Sequence, residues 1–180
     1  MDVRPATPAD RSAIRAVHKA AFGRAHEADI AEALREAGDE RISLVASEGD
    51  VLVGHVVLSE GRLGDAPVLC LGPIGVVPDR RHSGIGAALM RAALAEAAGS
   101  DAGLVVLVGH PAYYPRFGFE RARLLGLESE WDVDEPWMAL RLPRYDPALR
   151  GLVLFPAAFG RRRSSWATRV FSAWRGRTRV

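Results

Sequence analysis

Apolar positions along this chain change period several times, and each change marks an element. Val3 and Arg4 begin a short extended segment that Pro5 closes. Thr7-Pro8-Ala9-Asp10 then reads as a helix start. Thr7 can cap free backbone N–H groups, Pro8 suits the first turn, and an acid there favours the dipole. Ile14, Val17, Ala21 and Phe22 share one helical face, and Gly23 interrupts it. The spacing predicts a second helix over about 27–37, with Ile30, Ala33, Leu34 and Ala37 on its apolar side and Gly38 ending it.

The period then drops to two. Residues 42–47 and 51–59 read as strands around the turn Glu48-Gly49-Asp50, which predicts an antiparallel hairpin. Residues 68–77 form a strongly apolar strand broken by Gly72-Pro73. Proline cannot donate to a ladder, so the pair predicts a bulge or a local splaying of the sheet. A loop over 78–83 leads into a helix over about 84–98, with Ile85, Leu89, Ala92 and Ala93 buried. Leu104–Val108 is continuously apolar, as expected of a strand covered on both faces. Strand, helix and strand in that order imply a right-handed crossover and parallel pairing. His110–Arg116 reads as a short helical turn, Phe117-Gly118-Phe119 leads into more strand, 124–136 is acidic and irregular, and 137–142 alternates again. The fold class is α/β, a mixed sheet flanked by helices. The expected division is one domain over 1–160 and an extension over 161–180.

Composition supports a globular chain: 180 residues, 48% apolar and 26% charged. No apolar run reaches the length of a membrane span, and MDVRPATPAD lacks the pattern of a secretory signal. The cytoplasm is the default expectation. A lone cysteine, Cys70, allows neither an internal disulfide nor a zinc cluster, and no metal is expected. Charge is unevenly placed. Residues 161–180 hold seven arginines and no acid, which leaves 17 basic against 22 acidic groups, a net −5, in residues 1–160. The body therefore lacks the basic character of a nucleic-acid binder.

Three pieces carry candidate chemistry, in a fixed order. They are the broken strand Leu71–Pro78, the segment Arg81-His82-Ser83-Gly84-Ile85-Gly86-Ala87 at a helix mouth, and His110–Phe119. In the second, unpaired N–H groups at a helix start combine with glycines at 84 and 86 that admit a bulky anion, which makes a pyrophosphate cradle. On spacing alone, the glycines also suit a tight strand-to-helix turn with no ligand. A dinucleotide fingerprint needs a third glycine where Leu89 stands, and a Walker loop needs a lysine that is missing.

The run Val76–Leu89, VVPDRRHSGIGAAL, resembles the acetyl-CoA-binding motif of the GNAT N-acetyltransferase superfamily, Arg/Gln-x-x-Gly-x-Gly/Ala after a strand ending in Val-x-Pro. Arg81, Gly84 and Gly86 stand at its fixed positions. Tyr114–Phe119 resembles the family's later Tyr-x-x-x-Gly-Phe element, and the Leu-Gly-Pro and Pro-Ala-Tyr-Tyr-x-Arg-Phe-Gly-Phe strings are similar to the bacterial YhbS-type branch. The resemblance covers about residues 1–145, and weakly to 160. It implies a GNAT-like fold: strand, two helices, three strands, helix, strand, helix, strand. It implies acetyl-CoA as co-substrate and an amine of a small molecule or protein as acceptor, attacking the thioester directly. Ile74, Gly75 and Val76 would pair with the pantetheine arm, one of their N–H groups holding the thioester carbonyl. Arg81, His82, Ser83, Gly84, Ile85, Gly86 and Ala87 would hold the pyrophosphate. Tyr114 would be the general acid to the leaving thiolate. A homodimer is compatible with the resemblance.

Other side chains leave alternatives open. His110 stands where this branch often carries an acid; it could contact the acceptor or relay a proton, or have no role. His82 could touch a phosphate or be exposed filler. His55 reads as a half-buried sheet residue, Tyr113 as packing, and Cys70 as a buried apolar group rather than a nucleophile. Glu60, Glu128 and Glu130 are equal candidates for the general base. In the tail, Trp166, Val170 and Trp174 recur at helical spacing among arginines. That fits a basic amphipathic helix on an anionic membrane or nucleic acid, or a poorly ordered extension partly docked through its tryptophans. Two readings compete with the enzyme: a non-catalytic acyl-CoA-binding regulatory module, and an adaptor working through the tail.

Overall fold

Period-two apolar runs need cover on one or both faces, and among the described residues three helices supply it. A computed structural model describes residues 1–131 and 133–160; the arginine-rich segment 161–180, with both readings of it, lies outside the described residues. Strand β1 (Asp2–Pro5) is followed by α1 (Arg11–Phe22) and α2 (His26–Ala37). Then come β2 (Glu40–Glu48), β3 (Val51–Leu63), β4 (Ala66–Val76), α3 (Ile85–Ala98) and β5 (Leu104–Val108). Short strands close the described chain: β6 (Glu120–Arg121), β7 (Leu127–Ser129), β8 (Trp137–Arg141) and β9 (Gly151–Leu154).

The sheet runs β1-β2-β3-β4-β5-β8-β6. The expected hairpin and crossover are both present: β2 pairs antiparallel with β3, and β4 pairs parallel with β5. β9 takes over the flank of β3 at Arg62 and Leu63, beyond the end of β2 pairing at Ser59, and carries β7 beside it.

Alternation divides the core in two. Leu69 and Leu71 of β4 join Val105 and Leu107 of β5 under α3, against Ile85, Leu89, Met90 and Ala93. Val68 and Cys70, with Leu104 and Val106, face the opposite way, toward Ile30 and Leu34 of α2. That double cover explains the unbroken apolar run of β5.

Several expectations shift. The α2 apolar face is centred on Glu27, Ile30, Ala31 and Leu34; Ala33 is only half-buried and Ala37 is exposed. Thr7 caps as expected, through a capping box with Asp10, and its N–H and hydroxyl also donate to the Asp10 carboxylate, at 2.7 and 2.8 Å, while Arg4 holds the same carboxylate. The helix expected after β5 is reduced to 3-10 turns at Tyr114–Phe117 and Ala122–Leu125, because Pro115, Gly118 and Gly126 break every run before a full α-turn can propagate. The irregular stretch expected over 124–136 carries β7 and buries Trp131 and Val133 in the core.

Candidate active site

β4 and β5 pair at only two rungs, Leu69–Val105 and Cys70–Val106, and then part. The cause lies at Gly72-Pro73. Gly72 takes φ +140°, and β4 places two residues, Gly72 and Pro73, between Leu71 and Ile74 where β3 places one, Val57, between Leu58 and Val56. That is the predicted bulge. It also sets which backbone groups face the gap. Val77 N–H donates to the Val53 carbonyl at 3.0 Å, and Gly75 lies opposite His55. Antiparallel alternation then commits Gly75 to β3 and turns the N–H and C=O of Ile74 and Val76 toward the space that β5 has left. Of the three residues expected along the pantetheine, Gly75 therefore offers no free N–H. Its glycine has another reason: a Cβ there would stand 2.9 Å from His18 Nδ1 and 3.2 Å from the Ala21 Cβ, so α1 lies directly on β4.

Past Val76, a 3-10 turn over Pro78–Arg80 and an exposed loop lead into α3. Gly84 adopts φ +87°, and His82 adopts φ +62°, the sole non-glycine with positive φ among the described residues. The first helical bond runs from Ala88 N–H to the Gly84 carbonyl at 2.9 Å. Among the described residues, the N–H groups of His82 through Ala87 have no backbone partner. Six such donors at a helix N-terminus have the geometry that suits an anion. The side chains behave differently from the backbone. Arg81 donates its own N–H to Pro78 and its guanidinium to the carbonyl of Ala21 at the end of α1. Ser83 donates its hydroxyl to the Arg80 carbonyl at 2.5 Å. Both tie the loop down rather than reach into the cradle. A Cβ on Gly86 would lie 3.4 Å from the Tyr113 hydroxyl, so Tyr113 stands over the helix mouth.

Tyr114 closes the other side of the gap. Its ring crosses Gly109 so closely that a Cβ at 109 would fall inside it, 2.9 Å from Cζ. Phe119 and Tyr113 pack edge-on to it, at 5.7 and 5.1 Å between centroids. Burial, and secondarily the Tyr113 hydroxyl, push the Tyr114 phenol well above the usual tyrosine range. It stays protonated as a donor. Tyr113 is raised less; Arg116 stands 4.6 Å over its ring. His110 folds this loop: its Nδ1 accepts the Ala112 N–H at 3.0 Å and its carbonyl accepts the Tyr113 N–H at 2.9 Å. Burial lowers its pKa, so the ring is neutral, with its proton on Nε2.

A cavity of about 170 Å³ opens between these parts. Leu71–Ile74, Val108, Gly109 and Tyr114 form one wall; Phe22, Glu27, Ile30, Phe155 and Phe159 form the other. Glu27 escaped the sequence reading, yet it stands at helical spacing with Ile30 and Leu34, and an acid on an apolar stripe is a legible signal. None of the three expected bases is here. Glu60 pairs with Arg41 in a crevice of about 780 Å³ beside the C-terminus of α3, Glu130 accepts the Phe155 N–H at 2.8 Å, and Glu128 is exposed on β7. His55 is not half-buried but 1% exposed, and its Nδ1 lies 2.7 Å from His18 Nε2. Cys70 is fully buried and its thiol is pushed up, the opposite of an activated thiolate.

Comparison with known proteins agrees with this geometry. Residues 2–122 match the Acetyltransferase (GNAT) domain family. The N-acetyltransferase YjhQ of Escherichia coli is 34% identical over 117 residues, 62% of this chain and 65% of YjhQ, so the match spans just under two thirds of that relative. YhbS of Escherichia coli K12 is 32% identical over 157 residues, 84% of this chain and 92% of YhbS. The crystal structure of YhbS in complex with CoA superposes with a TM-score of 0.83 at 28% identity, covering 89% of this chain and 92% of that one. A GNAT family acetyltransferase from Brucella melitensis in complex with acetyl-CoA gives 0.75 at 34% identity, covering 88% and 97%.

Proposed function

The chain belongs to the GNAT acetyltransferase family, and on that premise we propose that it moves the acetyl group of acetyl-CoA to a primary amine entering the cavity beside Tyr114. The observation that carries this is the continuity of one path. Six N–H groups at the start of α3 without a backbone partner among the described residues, the outward-facing backbone of Val76 and Ile74, and the protonated Tyr114 line it in succession.

The cradle from His82 to Ala87 holds the pyrophosphate through backbone donors and the α3 dipole. Gly84 and Gly86 keep that approach free of side chains. Ile74 and Val76 hold the pantetheine arm as an added strand, which the bulge makes possible. One of their N–H groups polarises the thioester carbonyl. Bound acetyl-CoA supplies the activated acetyl group that the free amine attacks. Tyr114 gives its proton to the departing sulfur; its raised pKa keeps that proton in place until the thiolate forms. His110 positions Tyr113 and Tyr114 by folding their loop.

The test is release of CoA thiol from acetyl-CoA with a panel of primary amines, alongside thermal melting with acetyl-CoA, CoA and ATP. Turnover with at least one amine, and a rise in melting temperature with acetyl-CoA and CoA but not ATP, is expected. A melting shift without turnover on any amine would favour an acyl-CoA-binding module instead.

A further inference from the structure

Glu27 is an acid where packing asks for an apolar residue. It lies in the first turn of α2, on the face that carries Ile30 and Leu34, and is 5% exposed. A buried carboxylate is costly unless paired. Arg24, three residues earlier, supplies the pairing: its Nε stands 3.0 and 3.1 Å from the two oxygens, and its Nη2 also donates. Arg24 itself keeps 37% of its side chain in solvent. One guanidinium edge does not use all the acceptor sites of an ionised carboxylate, which number about four.

Glu27 also lines the cavity beside Tyr114, and among the described lining residues it is the sole charged side chain. The rest of that wall is Phe22, Ile30, Phe155 and Phe159, with Phe155 and Phe159 edge to face at 5.4 Å. A space of about 170 Å³ suits a group of roughly benzene's size. Aromatic walls with a single carboxylate select a cation on a compact apolar body. A polycation would leave its further charges against phenylalanine rings, and an acidic amine would meet Glu27 with like charge.

We propose that Glu27 anchors the ammonium group of the acceptor as it enters and takes one of its protons, freeing the amine to attack, while the proton the nitrogen loses after attack replaces the one Tyr114 gives the thiolate, and that the acceptors are monocationic arylalkylamines whose ring lies against Phe22, Phe155 and Phe159. This rests on the acetyltransferase reading above and names its substrate class. Arg24 holds the carboxylate in place while the cavity is empty of acceptor.

The experiment compares 2-phenylethylamine, spermidine and glutamate as acceptors with saturating acetyl-CoA, in the wild-type chain and in Glu27→Gln and Glu27→Asp. The proposal expects 2-phenylethylamine to give the highest kcat/KM by tenfold or more. It expects Glu27→Gln to raise the KM for that amine at least tenfold, with the KM for acetyl-CoA and the acetyl-CoA melting shift unchanged, and Glu27→Asp to fall between. The melting shift certifies that each variant is folded. Preference for spermidine or glutamate would overturn the arylalkylamine assignment and leave acetyl transfer standing. An unchanged amine KM in Glu27→Gln would overturn the anchor. No turnover and no acetyl-CoA melting shift in the wild type would overturn both readings together.

Discussion

His18 Nε2 lies 2.7 Å from His55 Nδ1, with both rings buried between α1 and β3. Ser43 continues the chain to His55 Nε2 at 3.0 Å. His18 packs against β4 at Gly75, the residue between the two whose backbone faces the β4–β5 gap. The pair thus seats α1 on the strand that borders the β4–β5 gap. The bond is lost when both rings are protonated, because an N–H···N bond needs one ring nitrogen free to accept, and burial favours the neutral form of each.

Stability should therefore fall in mild acid. Burial lowers both histidines, His18 to about 4. An unfolded histidine binds its proton near 6.5, so the unfolded chain takes up protons first. The contribution is complete above pH 6.5 and is lost as pH falls from there through about 4. His18 alone accounts for a loss on the order of 3 kcal/mol. Melting temperature against pH should show this slope, and His18→Leu/His55→Val should flatten it; an equal slope in that variant would assign the acid sensitivity elsewhere.

Tyr114→Phe removes the proton donor while keeping the ring that fills the space at Gly109. A fall in kcat of about 10²-fold or more is expected, with acetyl-CoA binding retained. Tyr113→Phe should mainly raise the KM for acetyl-CoA, because its hydroxyl stands over the Gly86 cradle. Steady-state kinetics of the two variants in parallel would separate the roles, and the reverse pattern would exchange them.

The wild-type rate profile carries a related expectation. With its phenol pushed up by burial, Tyr114 keeps its proton through the alkaline range in which an exposed tyrosine ionises near pH 10. Loss of kcat below pH 10 would have to come from another group.

Gly109→Ala puts a methyl group where the Tyr114 ring now lies. The ring must leave its position against β5, so kcat should fall toward the Tyr114→Phe value while the melting shift with acetyl-CoA persists. Wild-type kcat in Gly109→Ala would show that the ring position does not matter to the chemistry.

Gly84→Ala acts through the backbone alone. Nothing stands within 4 Å of a Cβ there, but φ is +87°. The left-handed conformation costs a non-glycine residue about 1–2 kcal/mol. If the loop relaxes to avoid that cost, the donors of His82–Ala87 lose their common aim. A smaller acetyl-CoA melting shift and a higher acetyl-CoA KM are expected, measured by the same melting and kinetic assays.

Much of this protein was legible in the order of its residues, because the interactions concerned are local. Alternation gave β2 to β5 and the hairpin, a continuous apolar run gave the doubly covered β5, and Gly72-Pro73 gave the bulge that splays the sheet. Gly84, Gly86 and a helix start gave the open N–H groups at the mouth of α3, since capping and dipole act within one turn. What only tertiary structure decided depends on which segments meet. Sequence spacing could not commit Gly75 to β3 and leave Ile74 and Val76 open, because that follows from strand register. It could not move Glu60 away from the site or bring Glu27 into it, because carboxylates 33 residues apart in sequence look alike until the helices dock. It could not join His18 to His55, 37 residues apart, since a buried polar pair is specified by long-range packing that no local pattern encodes.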